Sequence, residues 1–378
     1  MIKLTMKGIF TLFFLFCFAI SFSQAPSGYY DDAQGLTGFE LKTALKNIID
    51  DIADGNGQPV HNPQDYSDLD LAYPMPNSGF IDVYGDYDND GFLLDIYSEN
   101  PNGTDPYNHV LVEDECGNYN AEGVCYNKEH LLPQSFFNQQ SPMRGDIHYV
   151  FPTDGQVNGY RSNFPFGEVN NPSLTTQNGS RRGPNVFPGY SGTVFEPLDE
   201  FKGDIARALF YFATRYEDQV NTSGWDDPSG NVLNPNENQF YDDWYIDLLL
   251  DWHLSDPVST EELDRNSNGF SHQNNRNPFI DNPTFAQAIW DETFSTNSFD
   301  NVEVQIYPNP VRGQFLNIEV KGLQKFDIEV FNIFGKRMFF QNASKNLNSI
   351  SVQDWSSGIY LIKLSNSNFQ ETRKIIVP

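Results

Sequence analysis

The hydrophobic period of this chain changes near residue 290, and that change limits the fold more than any other feature. Up to Trp290, apolar residues recur at helical spacing or sit between clusters of Pro, Gly, Asn and Asp. From Val302 they alternate, as in Phe315-Leu316-Asn317-Ile318-Glu319-Val320, Phe326-Asp327-Ile328-Glu329-Val330-Phe331 and Gly358-Ile359-Tyr360-Leu361-Ile362-Lys363-Leu364. Alternation puts successive side chains on opposite faces of a sheet, and turn formers at roughly ten-residue intervals fit a small β-sandwich. One uniform architecture is therefore excluded. The expectation is an α+β protein: a mainly helical, loop-rich domain over 24–292, a polar linker over 293–301 and a β-sandwich over 302–378.

Within the first part, Leu36-Thr37-Gly38-Phe39-Glu40-Leu41 reads as a helix start, with Thr37 as cap, Glu40 completing a capping box and Leu36 stapled to Leu41. Leu41, Leu45, Ile48 and Ile52 would share its buried face, and Gly55 would stop it. Further helices are predicted over Phe201–Tyr216, with Ile205, Leu209, Phe212 and Tyr216 as its stripe, and over Phe240–Trp252, with Trp244, Leu248 and Trp252 on one side. Phe92–Tyr97 reads as a strand. Asp86, Asp88, Asp90 and Gly91 open like a calcium loop, but Tyr97 stands where the closing acid belongs, so a solvated turn is the better reading. Asp264, Asn266, Asn268 and Gly269 mimic the same loop, with Asn275 in place of the acid, and also read as a turn.

Residues 1–23 carry Lys3 and Lys7, an apolar run from Ile9 to Ile20 and small residues before Gln24, the pattern of a secretory signal peptide; the run is short for a membrane span. After its removal only Cys116 and Cys125 remain, which in an exported protein read as one disulfide, ahead of free thiols or a metal pair. Aromatic residues make up 15% of the chain, which excludes a disordered chain. The chain carries −28, and residues 24–300, with twelve Lys/Arg against 45 Asp/Glu, carry −33. Ten of those twelve cations follow residue 127, so a small basic cleft on an acidic body is expected there.

Three short segments carry chemistry: Asn127-Lys128-Glu129-His130-Leu131-Leu132-Pro133, Asp146-Ile147-His148-Tyr149-Val150-Phe151-Pro152 and Asn158-Gly159-Tyr160-Arg161-Ser162-Asn163. They read as strand, loop, strand, helix. Pro133 would end the first strand, Ile147 and Val150 would lie in the second, Pro152 would end it, and Thr153 or Asp154 would cap the helix that bears Asn158. Hydrolysis of a phosphodiester needs a base for water and a positive centre for charge developing on phosphate. A neutral histidine suits the first task, and a carboxylate with an amide oxygen suits a hard cation such as Mg²⁺ for the second.

Glu-His-x-x-Pro, Asp-x-His-x-x-x-Pro and Asn-Gly-x-Arg-Ser-Asn, in that order, are similar to bacterial endonuclease I of the ββα-metal (His-Me finger) nucleases. Tyr29-Tyr30, Lys202-Gly203-Asp204-Ile205-Ala206-Arg207 and Asn275-Arg276-Asn277-Pro278-Phe279 extend the likeness across Tyr29 to Trp290. The resemblance implies a secreted, non-specific endonuclease of DNA and RNA with an embedded ββα-metal motif. His130 would be the general base, and Glu129 and Asn158 would hold Mg²⁺, or Ca²⁺ or Mn²⁺ in its place. Cleavage would leave 5′-phosphate ends. Arg161 and Asn163 would meet phosphate or orient the helix, and Asp146 and His148 would support the site from behind; Arg207 and Arg276, placed among the substrate-binding residues, and Arg265 are equally open to phosphate contacts and to salt bridges. Periplasmic members carry a longer, cysteine-rich segment with a cleft arginine after the base histidine. Here only Gln134–Gly145 is present, and Arg144 is its sole cation. The rival reading is a catalytically inactive surface-binding protein on the same scaffold.

The tail has a resemblance of its own. Ile306-Tyr307-Pro308-Asn309-Pro310, Asn332-Ile333-Phe334-Gly335-Lys336, Gly358-Ile359-Tyr360-Leu361-Ile362 and Lys374-Ile375-Ile376-Val377 look like a type IX secretion sorting domain. That implies recognition by the type IX machinery and release at the surface of a Gram-negative cell, without a lasting membrane span.

Overall fold

The computed structural model describes residues 25–53, 57–220, 222, 224–227, 232–291, 303–321, 325–332, 336–344, 347–353, 355–365 and 370–378. The predicted signal peptide and linker lie outside the described residues. The chain divides into two compact units, Met1–Glu292 and Thr293–Pro378.

The first unit runs α1 (Gly38–Ile49), α2 (Leu69–Ala72), β1 (Tyr126–His130), β2 (Val150–Asp154), α3 (Gly155–Arg161), β3 (Leu174–Thr175), β4 (Arg181–Pro184), β5 (Thr193–Glu196), α4 (Lys202–Arg215), α5 (Asp243–Ser255), α6 (Thr260–Gln273), α7 (Pro278–Asp281) and α8 (Thr284–Trp290). β1 and β2 form an antiparallel pair, and β3, β4 and β5 form a small antiparallel sheet in that order. α1, α5 and α7 pack on α4, every residue of which is buried. The expected stripe of Ile205, Leu209, Phe212 and Tyr216 is inside, but so is the polar face. Its charges are matched internally: Lys202 with Glu168 and Glu196, Arg265 with Asp204, and Arg207 with Glu262. A buried charge is tolerated only when paired and hydrogen-bonded.

Three local expectations are corrected. α1 buries Leu41, Leu45 and Ile48, but it ends at Ile49, and Ile52 is exposed. Asp50 stops the helix: its Oδ1 accepts from the Ile52 amide at 2.8 Å while its other oxygen pairs with Lys46, a side-chain-to-backbone bond that competes with the helix ladder. Thr37 occupies the N-cap position without making a side-chain cap bond, and Gly55 lies outside the described residues. Phe92–Tyr97 is not a strand. It keeps one bridge, Ile81 with Leu93, and then turns, with the Asp95 carboxylate accepting from the Tyr97 amide at 2.9 Å. Asp264–Gly269 lies inside α6, which starts at a Ser259/Glu262 capping box. Gly269 is needed there because a Cβ would come within 2.3 Å of the His148 ring.

The second unit has two antiparallel sheets, built from β6 (Glu303–Tyr307), β7 (Phe315–Lys321), β8 (Phe326–Asn332), β9 (Arg337–Ala343), β10 (Leu347–Ser351), β11 (Gly358–Ser365) and β12 (Gln370–Val377). One sheet is ordered β10-β7-β6 and the other β12-β11-β8-β9. Leu316, Ile318 and Val320 of β7 share one core with Ile328 and Val330 of β8 and Ile362 and Leu364 of β11. The alternation in the sequence is the alternation of this core.

Candidate active site around β1, β2 and α3

β1 and β2 pair from Tyr126 opposite Asp154 to His130 opposite Val150. β1 thus stops at His130, before Pro133, and β2 begins at Val150, after Ile147. Pro152 lies within β2 opposite Lys128; a two-stranded ribbon consists only of edge strands, where a residue without an amide hydrogen is tolerated. α3 follows at once. Asp154 is its N-cap, with Oδ1 accepting from the Gln156 and Val157 amides at 2.9 Å each. Asp154 is itself held by its own amide, which donates to Asp95 at 2.7 Å.

Adjacent strand residues face opposite ways, and Glu129 and His130 do. Glu129 is buried, and its Oε1 accepts from the Tyr97 hydroxyl at 2.9 Å and pairs with Arg161 of α3 at 3.0 Å. Burial raises its carboxyl above the usual range, against the opposing pull of Arg161 and Tyr97. Arg161 also donates to the His130 carbonyl at 3.1 Å and the Leu131 carbonyl at 2.5 Å, so it clamps α3 to the end of β1. Asn158, one turn earlier on α3, donates from Nδ2 to Asn127 Oδ1 at 2.7 Å. With its nitrogen committed there, its oxygen is the atom left for a cation.

His130 is buried between aromatic rings. Tyr66 stacks on it with ring centres 5.7 Å apart and planes 15° apart, and Phe137 and Tyr149 close the other sides. Nε2 lies 3.0 Å from the Arg144 carbonyl oxygen. A carbonyl only accepts, so Nε2 carries the hydrogen and Nδ1 holds the lone pair. Burial, with Arg144, Arg161 and Lys128 adding to it, pushes the imidazole down to about 4 despite that bond. It is therefore neutral at pH 7 and has one defined basic nitrogen.

The structure distributes the other expected site residues unevenly. The Arg144 guanidinium lies over the Tyr66 ring, 4.6 Å from its centre, with its buried Nε unpartnered. Asn163 is exposed just beyond α3. Asp146 is buried and accepts from Tyr211 at 2.8 Å, Tyr216 at 2.7 Å, Gln273 at 2.8 Å and the His148 amide at 3.0 Å. Burial pushes its carboxyl up, but His61, His148 and the bonds from Gln273 and Tyr216 outweigh that and hold it low. His148 Nε2 meets the Asn275 carbonyl at 3.0 Å. Both residues fix the connector to the helical core and make no hydrogen bond to Glu129, His130 or Asn158.

Arg207 and Arg276 are corrections. Both are about 1% exposed. Arg207 grips Glu262 through Nε at 2.5 Å and through a second nitrogen at 2.6 Å. Arg276 grips Asp281 at 2.7 and 2.8 Å. Arg207 neutralises the buried Glu262 and Arg276 the half-buried Asp281, and neither arginine faces open surface. Arg161 is likewise turned inward. Among the described residues of the first unit, ten of the twelve cations counted above stand in ion pairs with carboxylates, and Arg144 and Arg182 do not. Both flank this site, since Arg182 donates to the Tyr160 carbonyl of α3 at 3.0 Å. Sequence reasoning missed Tyr66, Tyr97 and Arg182. Cys116 and Cys125 are disulfide-bonded, with Cα atoms 5.8 Å apart, which ties the entry of β1 to the preceding loop.

An extracellular ribonuclease of Bacillus amyloliquefaciens is 33% identical over 270 residues, which is 69% of this chain and 78% of that protein. An extracellular ribonuclease of Bacillus subtilis is 33% identical over 273 residues, again 69% and 78%. An extracellular deoxyribonuclease of Aeromonas hydrophila is 29% identical over 139 residues, 37% of this chain and 50% of that protein. Residues 305–378 match the secretion system C-terminal sorting domain. With those extracellular relatives, this marks a secreted or cell-surface protein, and among the described residues no helix is long and apolar enough to cross a membrane. Residues 37–284 match the endonuclease I model, and the chain belongs to the endonuclease I family.

Proposed function

We propose that the protein is a secreted, Mg²⁺-dependent endonuclease of the ββα-metal type that hydrolyses DNA and RNA and leaves 5′-phosphate ends. The observation that carries the reading is the His130 ring: neutral by burial, oriented by one bond from Nε2, and adjacent in sequence to a buried carboxylate facing α3. Relatives described as a ribonuclease and as a deoxyribonuclease support both substrates.

The donor set fits the metal. Glu129 and Asn158 offer hard oxygens, one anionic and one neutral, too few to enclose a cation and so suited to Mg²⁺, which keeps waters in its shell. When bound there it supplies positive charge for the phosphate and the departing oxygen. His130 Nδ1 takes the proton of a water whose oxygen attacks phosphorus. The bond from phosphorus to O3′ breaks, and the phosphate stays on the 5′ side. Arg161 holds Glu129 and the end of β1 in register. Arg144, spread over Tyr66, and the exposed Asn163 meet the phosphate backbone. Supercoiled plasmid and a single-stranded RNA, incubated with Mg²⁺ or with chelator, test the reading. Both should be cut with Mg²⁺, neither with chelator, and His130→Ala should lose at least about 10²-fold in rate. An unchanged rate in that variant would remove His130 from the chemistry, and no cleavage by the wild type would favour the inactive surface-binding alternative.

A further inference from the structure

A second group of acids lies in the loop before β1, and none of them touches Glu129 or Asn158. Asp82, Asp88 and Asp90 gather with carboxylate oxygens within 4.8 Å of one another, and Asp88, Glu99 and Asp105 do the same. Asp88 is common to both sets. Five carboxylates therefore meet around it, drawn from a stretch of 24 residues. Acidic clusters are ordinary on a protein this acidic. The unusual member is Glu99.

Glu99 has no exposed surface, and no donor group reaches either of its carboxylate oxygens; the Asp105 carboxyl stands beside them, and Glu99 bonds to it only while it keeps its proton. The polar groups gathered about them are the Asp88 and Asp105 carboxylates, and an ionised carboxylate cannot donate. A buried carboxylate without a donor or counter-charge is costly. Three of the other members, Asp82, Asp90 and Asp105, are already oriented by backbone amides. Asp82 accepts from Tyr84 and Asp90 at 3.2 and 3.3 Å, Asp90 from Phe92 at 2.8 Å, and Asp105 from Asn100 at 2.6 Å. Asn108 also bonds Asp90. These bonds fix the carboxylates facing one another and leave their mutual repulsion uncompensated. Burial accordingly lifts Glu99 to about 9, with Asp105 adding to it, and lifts Asp105 to about 6.

We propose that Asp82, Asp88, Asp90, Glu99 and Asp105 form a calcium site, distinct from the catalytic centre, that Glu99 anchors from inside. The choice of ion follows from the ligands. All are hard carboxylate oxygens, which exclude a soft metal. Five protein ligands on an irregular loop suit the six to eight oxygens of Ca²⁺ better than the octahedron of Mg²⁺ with its retained waters. The likeness of Asp86-x-Asp88-x-Asp90-Gly91 to a calcium loop failed for want of a closing acid in linear sequence. The fold supplies that acid from elsewhere, as Glu99 and Asp105. The site has a consequence for the rest of the unit. Glu99 donates its amide to the Asp95 carbonyl at 2.8 Å. Asp95 in turn holds the Asp154 amide, and Tyr97, between the two, holds Glu129. A cation at Glu99 would pin the segment that presents Tyr97 and Asp95 to β1, β2 and α3.

The test is calcium titration of the whole secreted chain by calorimetry, with thermal unfolding of the first unit alongside. Wild type should bind one tight Ca²⁺ and melt roughly 5 °C higher in saturating calcium than in chelator. Asn158→Ala, which alters only the catalytic centre, should keep both effects. Glu99→Gln should abolish both, and it should melt no lower than wild type in chelator, because a carboxyl lifted to about 9 already keeps its proton there and the amide retains a neutral donor in its place. Asp88→Asn, at an exposed position where misfolding is not a concern, should weaken binding at least about tenfold. Calcium lost in Asn158→Ala but kept in Glu99→Gln and Asp88→Asn would place the ion at the catalytic centre and overturn the proposal. So would the absence of calcium binding in every form, which would mean that a proton, not a cation, satisfies Glu99.

Discussion

Arg161 offers the sharpest separation between two roles. The sequence places it where it could reach phosphate, whereas the structure turns it inward, about 1% exposed. It joins Glu129 at 3.0 Å and two backbone carbonyls, with its guanidinium 4.6 Å from the centre of the Phe166 ring. Removing one partner of a buried pair costs about 3–5 kcal/mol, because the charge left behind keeps its desolvation penalty. No discount for solvent applies, since the two side chains are only 2% and 4% exposed. Arg161→Ala should therefore destabilise the first unit by about 3–5 kcal/mol in chelator, read as a lowered urea midpoint at unchanged slope. Glu129 would then keep the Tyr97 hydroxyl and the His130 amide but no counter-charge, and its carboxyl would rise further. Mg²⁺ would become its main counter-charge, so the rise in urea midpoint on adding Mg²⁺ should be larger in the variant than in wild type. Arg161→Lys restores charge but not the fork to two carbonyls and should recover only part of the loss. A phosphate contact predicts a wild-type urea midpoint with a raised KM and a shallower salt dependence. That result would refute the clamp.

Four further outcomes are expected. Because burial holds His130 near 4, the acid limb of the rate profile should lie well below the ordinary histidine range. His61 and His253, likewise pushed down to about 4, bind protons only on unfolding between that value and about 6.5, so stability should fall as pH drops through this window, by up to about 3 kcal/mol for each; chemical denaturation at stepped pH reads both window and sign. Charge reversal at Arg144 or Arg182 should raise KM by roughly tenfold, about 1.5 kcal/mol, with stability kept, whereas Arg276→Ala should lower the melting temperature and leave the KM of the folded protein alone. Removal of residues 302–378 should leave plasmid cleavage by the purified first unit at the full-length rate and block release from the cell; loss of cleavage would contradict independent units.

Local pattern made much of this architecture legible. The switch from helical spacing to alternation near Trp290 coincides with the break between the two units, and the order strand, connector, strand, helix could be read from 126 to 161 through the Asp154 cap, although Pro133 and Pro152 do not mark the strand ends. What was not legible depends on partners far away in sequence. Arg207 and Glu262 are 55 residues apart, and nothing local tells an arginine that neutralises a buried acid from one that meets phosphate. Tyr66, which opens a single 3-10 turn, and Tyr97, in a turn, enter the site from segments with no regular apolar period. α6 is a different case. Its run of Asn, Asp and Gly resembles a turn, yet Ser259-x-x-Glu262 was a readable start signal. The composition of the next turn outweighed it because three of those polar residues serve tertiary bonds: Asp264 to Tyr84, Asn266 to the Asn277 carbonyl and Asn268 to the Ala72 carbonyl.

The acidity of the first unit can be reconciled with a polyanionic substrate in the same terms. A net −33 over residues 24–300 repels nucleic acid at long range, so this protein cannot draw in its substrate as a basic nuclease does. Ten of its cations are spent on internal pairs, which removes them from the surface field. The two left over, Arg144 and Arg182, lie beside His130 and α3. At moderate ionic strength the field of the distant carboxylates decays over about 8–10 Å, whereas a guanidinium in contact with phosphate is scarcely screened. Attraction is therefore confined to the few ångströms where cleavage would occur, and few counterions are released on binding. Salt that weakens a basic nuclease by competing at many phosphate contacts would here chiefly relieve repulsion. On this reasoning the acidic surface and the sparse, local basic groups are complementary parts of one electrostatic arrangement, suited to an exported enzyme that works outside the cell, where ionic strength is not under cellular control.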